Sequence, residues 1–239
     1  MKLFHSGRMV KMSTAPLLEV RGLSIELDAR PVVSDAAFAI PPSSIVGLRG
    51  DSGAGKTTLA CALLRLLPLG RYRLRGSIRL RGRELMDLTE RQLEQVRGAD
   101  MAMVFQDPLQ ALNPVMRVRD QVGEAIRAHG GSQKPERLLE MVELPVSAHI
   151  REAYPHQLSG GERQRVCLAL ALAAGPALVI ADEPFTALDA PRVVELARLF
   201  RALKQKLQTS FLLISHNRNV LAKIADHVMV MRNGRLEDG

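Results

Sequence analysis

Gly50-Asp51-Ser52-Gly53-Ala54-Gly55-Lys56-Thr57 constrains this chain more than any other stretch. It satisfies G-x-x-x-x-G-K-[ST] in the setting that gives the pattern meaning. A short apolar run from Ser44 to Leu48 reads as a strand before it. A helical pattern from Lys56 to Leu67, stopped by Pro68, follows it. The glycines let consecutive backbone N–H groups point inward around phosphates. Lys56 brings positive charge to the β- and γ-phosphates. Thr57 offers a hydroxyl to Mg²⁺, and Thr58 lies beside it on the first helical turn. A strand–loop–helix unit of this kind calls for an α/β architecture.

The rest of the chain fits that frame. Leu17 to Leu27 and Val32 to Ile40 read as strands, and Thr89-Glu90-Arg91-Gln92 opens a short helix with a capping-box pattern. Met101 to Phe105 reads as a buried strand ending at Gln106. Gly161 to Ala174, Pro191 to Leu207 and Asn219 to Ala225 read as helices. Leu178 to Ala181, Ser210 to Ile214 and Val228 to Met231 read as strands. Alternating strand and helix in the second half predicts a mostly parallel sheet, whereas the strands of the first half predict an antiparallel side sheet. The proline-studded stretch 107–157, with helical patches around 118–129 and 136–142, reads as a helical subdomain. The expected organisation is a tail at 1–16, a nucleotide-binding core from 17–106 and 158–239, and the helical subdomain between those two parts.

Composition narrows the class. The chain has 239 residues, of which 46% are hydrophobic, enough for one large domain with a sizeable core. No apolar run approaches the roughly 20 residues of a membrane span, and Met1 to Ser13 does not read as a signal peptide. Cys61 and Cys167 form no CxxC pair and read as small buried hydrophobes in a reducing compartment. The net charge of +8 owes much to Arg71, Arg73, Arg75, Arg79, Arg81 and Arg83, which alternate with apolar residues. Period two places them on one face of a strand, read as a solvated outer face. The alternative is a surface for nucleic acid, but with 3% aromatic residues there is little on which bases could stack.

Two further motifs carry chemistry. Ala177-Leu178-Val179-Ile180-Ala181-Asp182-Glu183 is an apolar strand closed by two acids, at the strand end where ligands bind in open α/β sheets. Asp182 is expected to hold Mg²⁺ through water, and Glu183 to act as general base toward the attacking water. Leu158-Ser159-Gly160-Gly161-Glu162-Arg163-Gln164-Arg165 places a second glycine pair at a helix start, whose N–H groups and dipole suit an anion. Two phosphate-binding devices in one chain suggest that they close on a nucleotide from opposite sides. Gln106 could reach the metal or the water, and His216 could hydrogen-bond a γ-phosphate.

Taken together and in this order, the phosphate loop, Gln106, Leu158-Ser159-Gly160-Gly161, Asp182-Glu183, Asp189 in Thr186-Ala187-Leu188-Asp189, and His216 resemble the ATPase subunits of ABC transporters. The resemblance runs from about Leu17 to Glu237. It implies a P-loop NTPase core with a mostly parallel sheet, an antiparallel side sheet and an α-helical subdomain. It also implies two subunits docked head to tail with ATP and Mg²⁺ sandwiched between them. One subunit would give Lys56, Thr57, Gln106, Glu183 and His216. The other would give Ser159, Gly160 and Gly161, with Asp189 at the contact. Phe105 to Pro114 and Tyr154 to Gly161 look most like the ATPases of dipeptide, oligopeptide and nickel importers.

That likeness implies a second ATPase subunit, identical or a paralogue, two membrane permeases, an extracytoplasmic solute-binding protein and no nucleic acid. The expected place is the cytoplasmic face of the cell membrane. The alternative is a non-transport ABC ATPase acting on nucleic acid or the ribosome. A P-loop kinase or GTPase switch would leave Ser159–Gly161 and Asp189 without a role. Three departures stand out. Leu27 occupies the position where such ATPases often stack an aromatic on adenine, which implies weaker or less selective base binding. Asn217 follows His216 where an acid is usual. The sequence stops at Gly239 where many peptide-importer ATPases continue, which leans toward the shorter nickel-type members or toward a trimmed chain.

Overall fold

The computed structural model describes residues 15–68, 70–186 and 188–238. The tail up to Thr14, Leu69, Ala187 and the terminal Gly239 lie outside the described residues. Two sheets organise the chain. One is antiparallel, in the order β2-β1-β4-β5, built from Leu18–Leu27 (β1), Arg30–Ile40 (β2), Tyr72–Leu80 (β4) and Arg83–Glu84 (β5). The other has six strands in the order β10-β9-β3-β8-β7-β6. Its members are Ile45–Gly50 (β3), Met101–Val104 (β6), Leu178–Asp182 (β7), Ser210–Ile214 (β8), His227–Arg232 (β9) and Arg235–Asp238 (β10). All its pairings are parallel except β9 with β10.

Parallel strands covered on both faces carry apolar side chains on both. Phe211 and Leu213 of β8 face one core, with Val179 and Ala181 of β7. Leu212 and Ile214 face the other, with Leu178 and Ile180. The second core is closed by helix Lys56–Leu63 (α1) and by Leu18, Val20, Leu23 and Ile25 of the antiparallel sheet. The inward set on β1 changes from even to odd numbers at a bulge beside Gly22. There β4 crosses so closely that a Cβ on Gly76 would meet the Gly22 carbonyl at 2.6 Å.

The arginine alternation holds: Arg73, Arg75 and Arg79 are exposed while Ile78 and Leu80 are buried. Acids answer part of that charge across the strands. Glu26 lies opposite Arg73, and Glu84 of β5 lies opposite Arg79 and pairs with it at 3.4 Å. Glu90–Val96 (α2) starts with the capping box of Thr89 and Gln92. Short helices Pro108–Ala111 (α3), Val118–Ala128 (α4), Pro135–Met141 (α5) and Ala148–Arg151 (α6) follow, then Gly160–Ala171 (α7), Ala190–Leu207 (α8) and Arg218–Ile224 (α9).

Two features differ from the sequence expectation. Helix α1 ends at Leu63, well before Pro68. Arg65 turns into the left-handed region (φ 54°), with Arg65 N donating to Ala62 O and Leu66 N to Cys61 O. This is a Schellman closure with arginine where glycine is usual. Bonds from Arg65 Nη1 to Met86 O and from Arg97 Nη2 to Arg65 O hold it in place. The second feature is β10, which follows β9 through Asn233-Gly234, both at positive φ. An Asn-Gly pair after a strand is a hairpin signal the sequence did carry.

Candidate functional site

Because β3, β8, β7 and β6 run parallel and adjacent, their carboxyl ends share one edge, the edge at which open α/β sheets bind ligands. The phosphate loop leaves β3, His216 lies just beyond β8, Asp182 and Glu183 end β7, and Gln106 lies just beyond β6.

The loop from Gly50 to Gly55 is shaped by backbone more than by side chains. Gly50, Gly53 and Gly55 all have positive φ, and a Cβ on Gly50 would meet the Met231 carbonyl at 2.3 Å. Ala54 N donates to Asp51 O (3.2 Å) and tightens the turn, while Ser52 is exposed. Gly55 caps α1 without a side-chain acceptor, which leaves first-turn N–H groups to an anion. Lys56 is 8% exposed, and its Nζ folds back onto the carbonyls of Gly50 (2.8 Å) and Asp51 (2.9 Å). Those contacts satisfy a buried cation within its own loop.

Thr57 Oγ1 donates to Asp182 Oδ2 at 2.7 Å. Asp182 is 2% exposed, and its Oδ1 is buried with no hydrogen-bond partner among the described residues. Desolvation raises its carboxyl above the ordinary range. The Thr57 hydroxyl opposes that shift, the neighbouring Glu183 charge adds to it, and Lys56 lowers it. Glu183 sits at φ 48°, a strained position for a non-glycine residue and one that recurs at functional sites. Its N–H donates to Ile214 O (2.9 Å). Its carboxylate accepts from the backbone N–H of His216 (3.1 Å) and faces His216 Nδ1 at 2.9 Å. Glu183 is thus locked, while the His216 ring is 68% exposed.

Lys56, Thr57, Asp182, Glu183 and His216 are therefore gathered in one cluster by two side-chain bonds, Thr57 to Asp182 and Glu183 to His216, with Lys56 bonded to its own loop. Gln106 is exposed and lines, with Thr57, Asp182 and Gly160, a cleft of about 1070 Å³ between the sheet edge and α7. Ser159, Gly160 and Gly161 are not bonded to the cluster: Gly160 lines the same cleft, but among the described residues no hydrogen bond joins the three to Gly50–Thr58. Ser159 Oγ accepts from Glu162 N (3.3 Å), and Glu162 Oε2 accepts from Ser159 N (2.7 Å), a closed capping box. A Cβ on Gly160 would have no atom within 4 Å. Asp189 also stands apart; it caps α8 by accepting from Arg192 N at 3.0 Å.

Sequence reasoning did not single out Met231, which packs on the phosphate loop, or Thr186, whose hydroxyl lies 3.5 Å from Glu183. Neither has a local signal, because both reach the site through strand pairing or a turn. Asn217 now has an evident role. Its Oδ1 accepts from Val220 N (3.2 Å) and caps α9, work that aspartate does equally well. Leu27 is half-buried and pairs with Tyr72 on β4. Cys167 is buried, and desolvation pushes its thiol up to about 12, which leaves it inert.

A phosphate loop, an acidic pair closing a buried strand and a second glycine pair at a helix start, on this mixed sheet, define a P-loop ATPase of two-loop design. The model of the ABC transporter family matches residues 33–186. Over 246 residues the chain is 38% identical to the oligopeptide transport ATP-binding protein OppD of Salmonella typhimurium, covering 98% of this chain and 73% of OppD. It is 42% identical to a protein of Brucella abortus named for ATP binding in peptide import, covering 95% of this chain and 71% of that one. The dimeric ATP-binding cassette MJ0796 with ADP and Pi shares the fold at a TM-score of 0.79 and 22% identity, over 92% of this chain and 98% of that one. The chain belongs to the ABC transporter family and is an ATP-binding subunit, an ATPase.

Proposed function

We propose that this ATPase powers a peptide importer, closing on a second ATPase subunit around two ATP molecules. Peptide, rather than nickel, is the cargo class that the names of the cited relatives favour. The observation carrying the reading is the division of the site: a bonded cluster on one edge and, at the start of α7, Gly160, where a Cβ would meet no described atom within 4 Å.

In this reading Gly50 to Lys56 cradle the phosphates, with Lys56 exchanging its loop carbonyls for phosphate oxygens. Thr57 and Asp182 would hold Mg²⁺. The fit rests on Asp182 Oδ1, a buried oxygen without a partner beside a hydroxyl, both hard ligands suited to that ion. When bound, Mg²⁺ supplies charge neutralisation at the β- and γ-oxygens. Glu183 accepts the proton of the attacking water, Gln106 orients that water or joins the metal's ligands, and His216 donates to the γ-phosphate. Ser159, Gly160 and Gly161 serve the ATP of the facing subunit, and Asp189 lies at the contact.

Residues 107–157 form the helical subdomain, and the exposed apolar side chains Phe105 (46%), Leu109 (52%) and Val115 (79%) give two permease subunits a surface to grip. No helix among the described residues is long and apolar enough to cross a membrane, so a cytoplasmic-face position would come from that grip. A solute-binding protein completes the system outside. ATP bound better by the closed pair shifts the population toward it, and hydrolysis releases it.

Glu183→Gln tests the assignment. The variant should lose turnover by at least about 100-fold and accumulate an ATP-dependent dimer by light scattering. Normal hydrolysis would remove Glu183 from the role of base.

A further inference from the structure

Three charged side chains are buried among the described residues: Glu19, Lys56 and Asp182. Lys56 and Asp182 belong to the nucleotide cluster, and Glu19 has no part in it. A buried carboxylate is costly unless its oxygens are matched. Glu19 is 5% exposed and has one ion-pair partner, Arg21 Nη2, at 2.7 Å from Oε1; its Oε2 accepts no hydrogen bond from a described residue.

Glu19 opens into a cavity of about 510 Å³ where β1 and the end of β4 meet the amino-terminal ends of the parallel strands. Leu17 and Ala177 give this cavity an apolar floor, and Arg21, Arg79 and Arg81 line it. Arg79 reaches Glu84 by one contact of 3.4 Å, and Arg81 reaches Asp100 by another of 3.4 Å. Each guanidinium has five donors, so most remain available. The two arginines are 44% and 64% exposed, at the rim, while the carboxylate lies within. The place is the edge opposite the nucleotide cluster, about 16 Å away along the five residues of β7.

We propose that this cavity is a second ligand site, taking a small zwitterion, an amino acid or short peptide. Its ammonium group docks on Glu19 and its carboxylate on Arg79 and Arg81. A bare anion meets the buried carboxylate, and a bare cation meets the arginines, so a molecule carrying both charges suits the cavity best. The volume lies in the range of small-ligand sites. Because the walls come from β1, β4 and the loops before β3, β7 and β8, an occupant would brace the antiparallel sheet against those loops. None of this depends on which cargo the transporter carries.

The test is calorimetric titration of the full chain with the dipeptide Ala-Ala, alongside N-acetyl-Ala-Ala, Ala-Ala amide and inorganic phosphate. One-to-one binding of the dipeptide is expected, weakened at least about 10-fold by blocking either terminus, equivalent to one lost charge-assisted contact of about 1.4 kcal/mol. Glu19→Gln should produce the same loss with ATP affinity unchanged. Arg81→Gln, at an exposed position, gives a second reading if the buried substitution disturbs folding. No dipeptide binding, equal binding of the blocked forms, or phosphate binding as tightly as the dipeptide would each overturn the proposal. So would dipeptide binding that neither variant weakens.

Discussion

Gly160→Ala separates the fold from the two-subunit site more cleanly than any catalytic substitution. Gly160 is the first residue of α7, directly after the Ser159 cap, and its φ does not lie in the left-handed region. A Cβ there meets nothing within 4 Å. Replacing glycine with alanine at such a position removes unfolded-state freedom and stabilises by about 0.4–1 kcal/mol. For a chain of this length that is a rise in Tm of about 1–2 °C. In the proposed pair, the same face closes on the partner's ATP, and a methyl there holds the helix N–H groups away from the phosphate. The loss should be about 100-fold or more in turnover, the scale seen on removing one donor to a developing anion. The assays are thermal melting of the nucleotide-free protein and steady-state ATP hydrolysis. Gly50→Ala is the contrast, because its Cβ would strike Met231 O and must lower Tm. A Gly160→Ala protein that melts higher and still hydrolyses ATP at the normal rate would refute a phosphate-facing role for this helix start. A lower Tm would refute the open-space reading itself.

Asp182→Asn should stabilise the nucleotide-free protein by an amount that grows with pH. A carboxyl whose folded pKa is raised binds more protons in the native state than in the unfolded one, so wild-type stability falls as pH rises from about 4 through the raised value. Asparagine removes that dependence, so urea unfolding should show a widening gap; a gap constant with pH would contradict a desolvated Asp182. The same variant should lose the Mg²⁺ requirement of nucleotide binding. At the end of α9's cap, Asn217→Asp should leave Tm within error, whereas Asn217→Ala should cost about 1 kcal/mol. A large activity loss in Asn217→Asp at unchanged Tm would give position 217 a chemical role beyond the cap.

Legibility tracked how local each device is. The phosphate loop was readable because each residue acts through its own backbone, and the flanking strand and helix were readable from their apolar pattern. The Thr89–Gln92 box closes within four residues and stands in the structure, whereas the equally local Ser159–Glu162 box was read only as a helix start. Arg65 escaped because it takes a left-handed position where glycine is usual, held there by Met86 and Arg97, which lie far away in sequence. Met231 escaped for a similar reason: it reaches Gly50 only because β9 pairs with β3.

The order of the strands explains why the acids at the end of β7 acquire a partner that no spacing rule could supply. β8 lies directly beside β7, with Asp182 in register with Ile214 and Glu183 N donating to Ile214 O, and the Glu183 carboxylate reaches across to the residue two positions beyond Ile214. That residue is His216, which gives Glu183 both its backbone N–H and, from the side chain, a ring nitrogen. The left-handed turn at Glu183 makes this possible, since an extended residue after Asp182 would carry the carboxylate on along the strand rather than across to β8. The strain at one residue is thus offset by hydrogen bonds that the neighbouring strand provides. Strand pairing and one left-handed turn, rather than motif, are what position the strand-end acid.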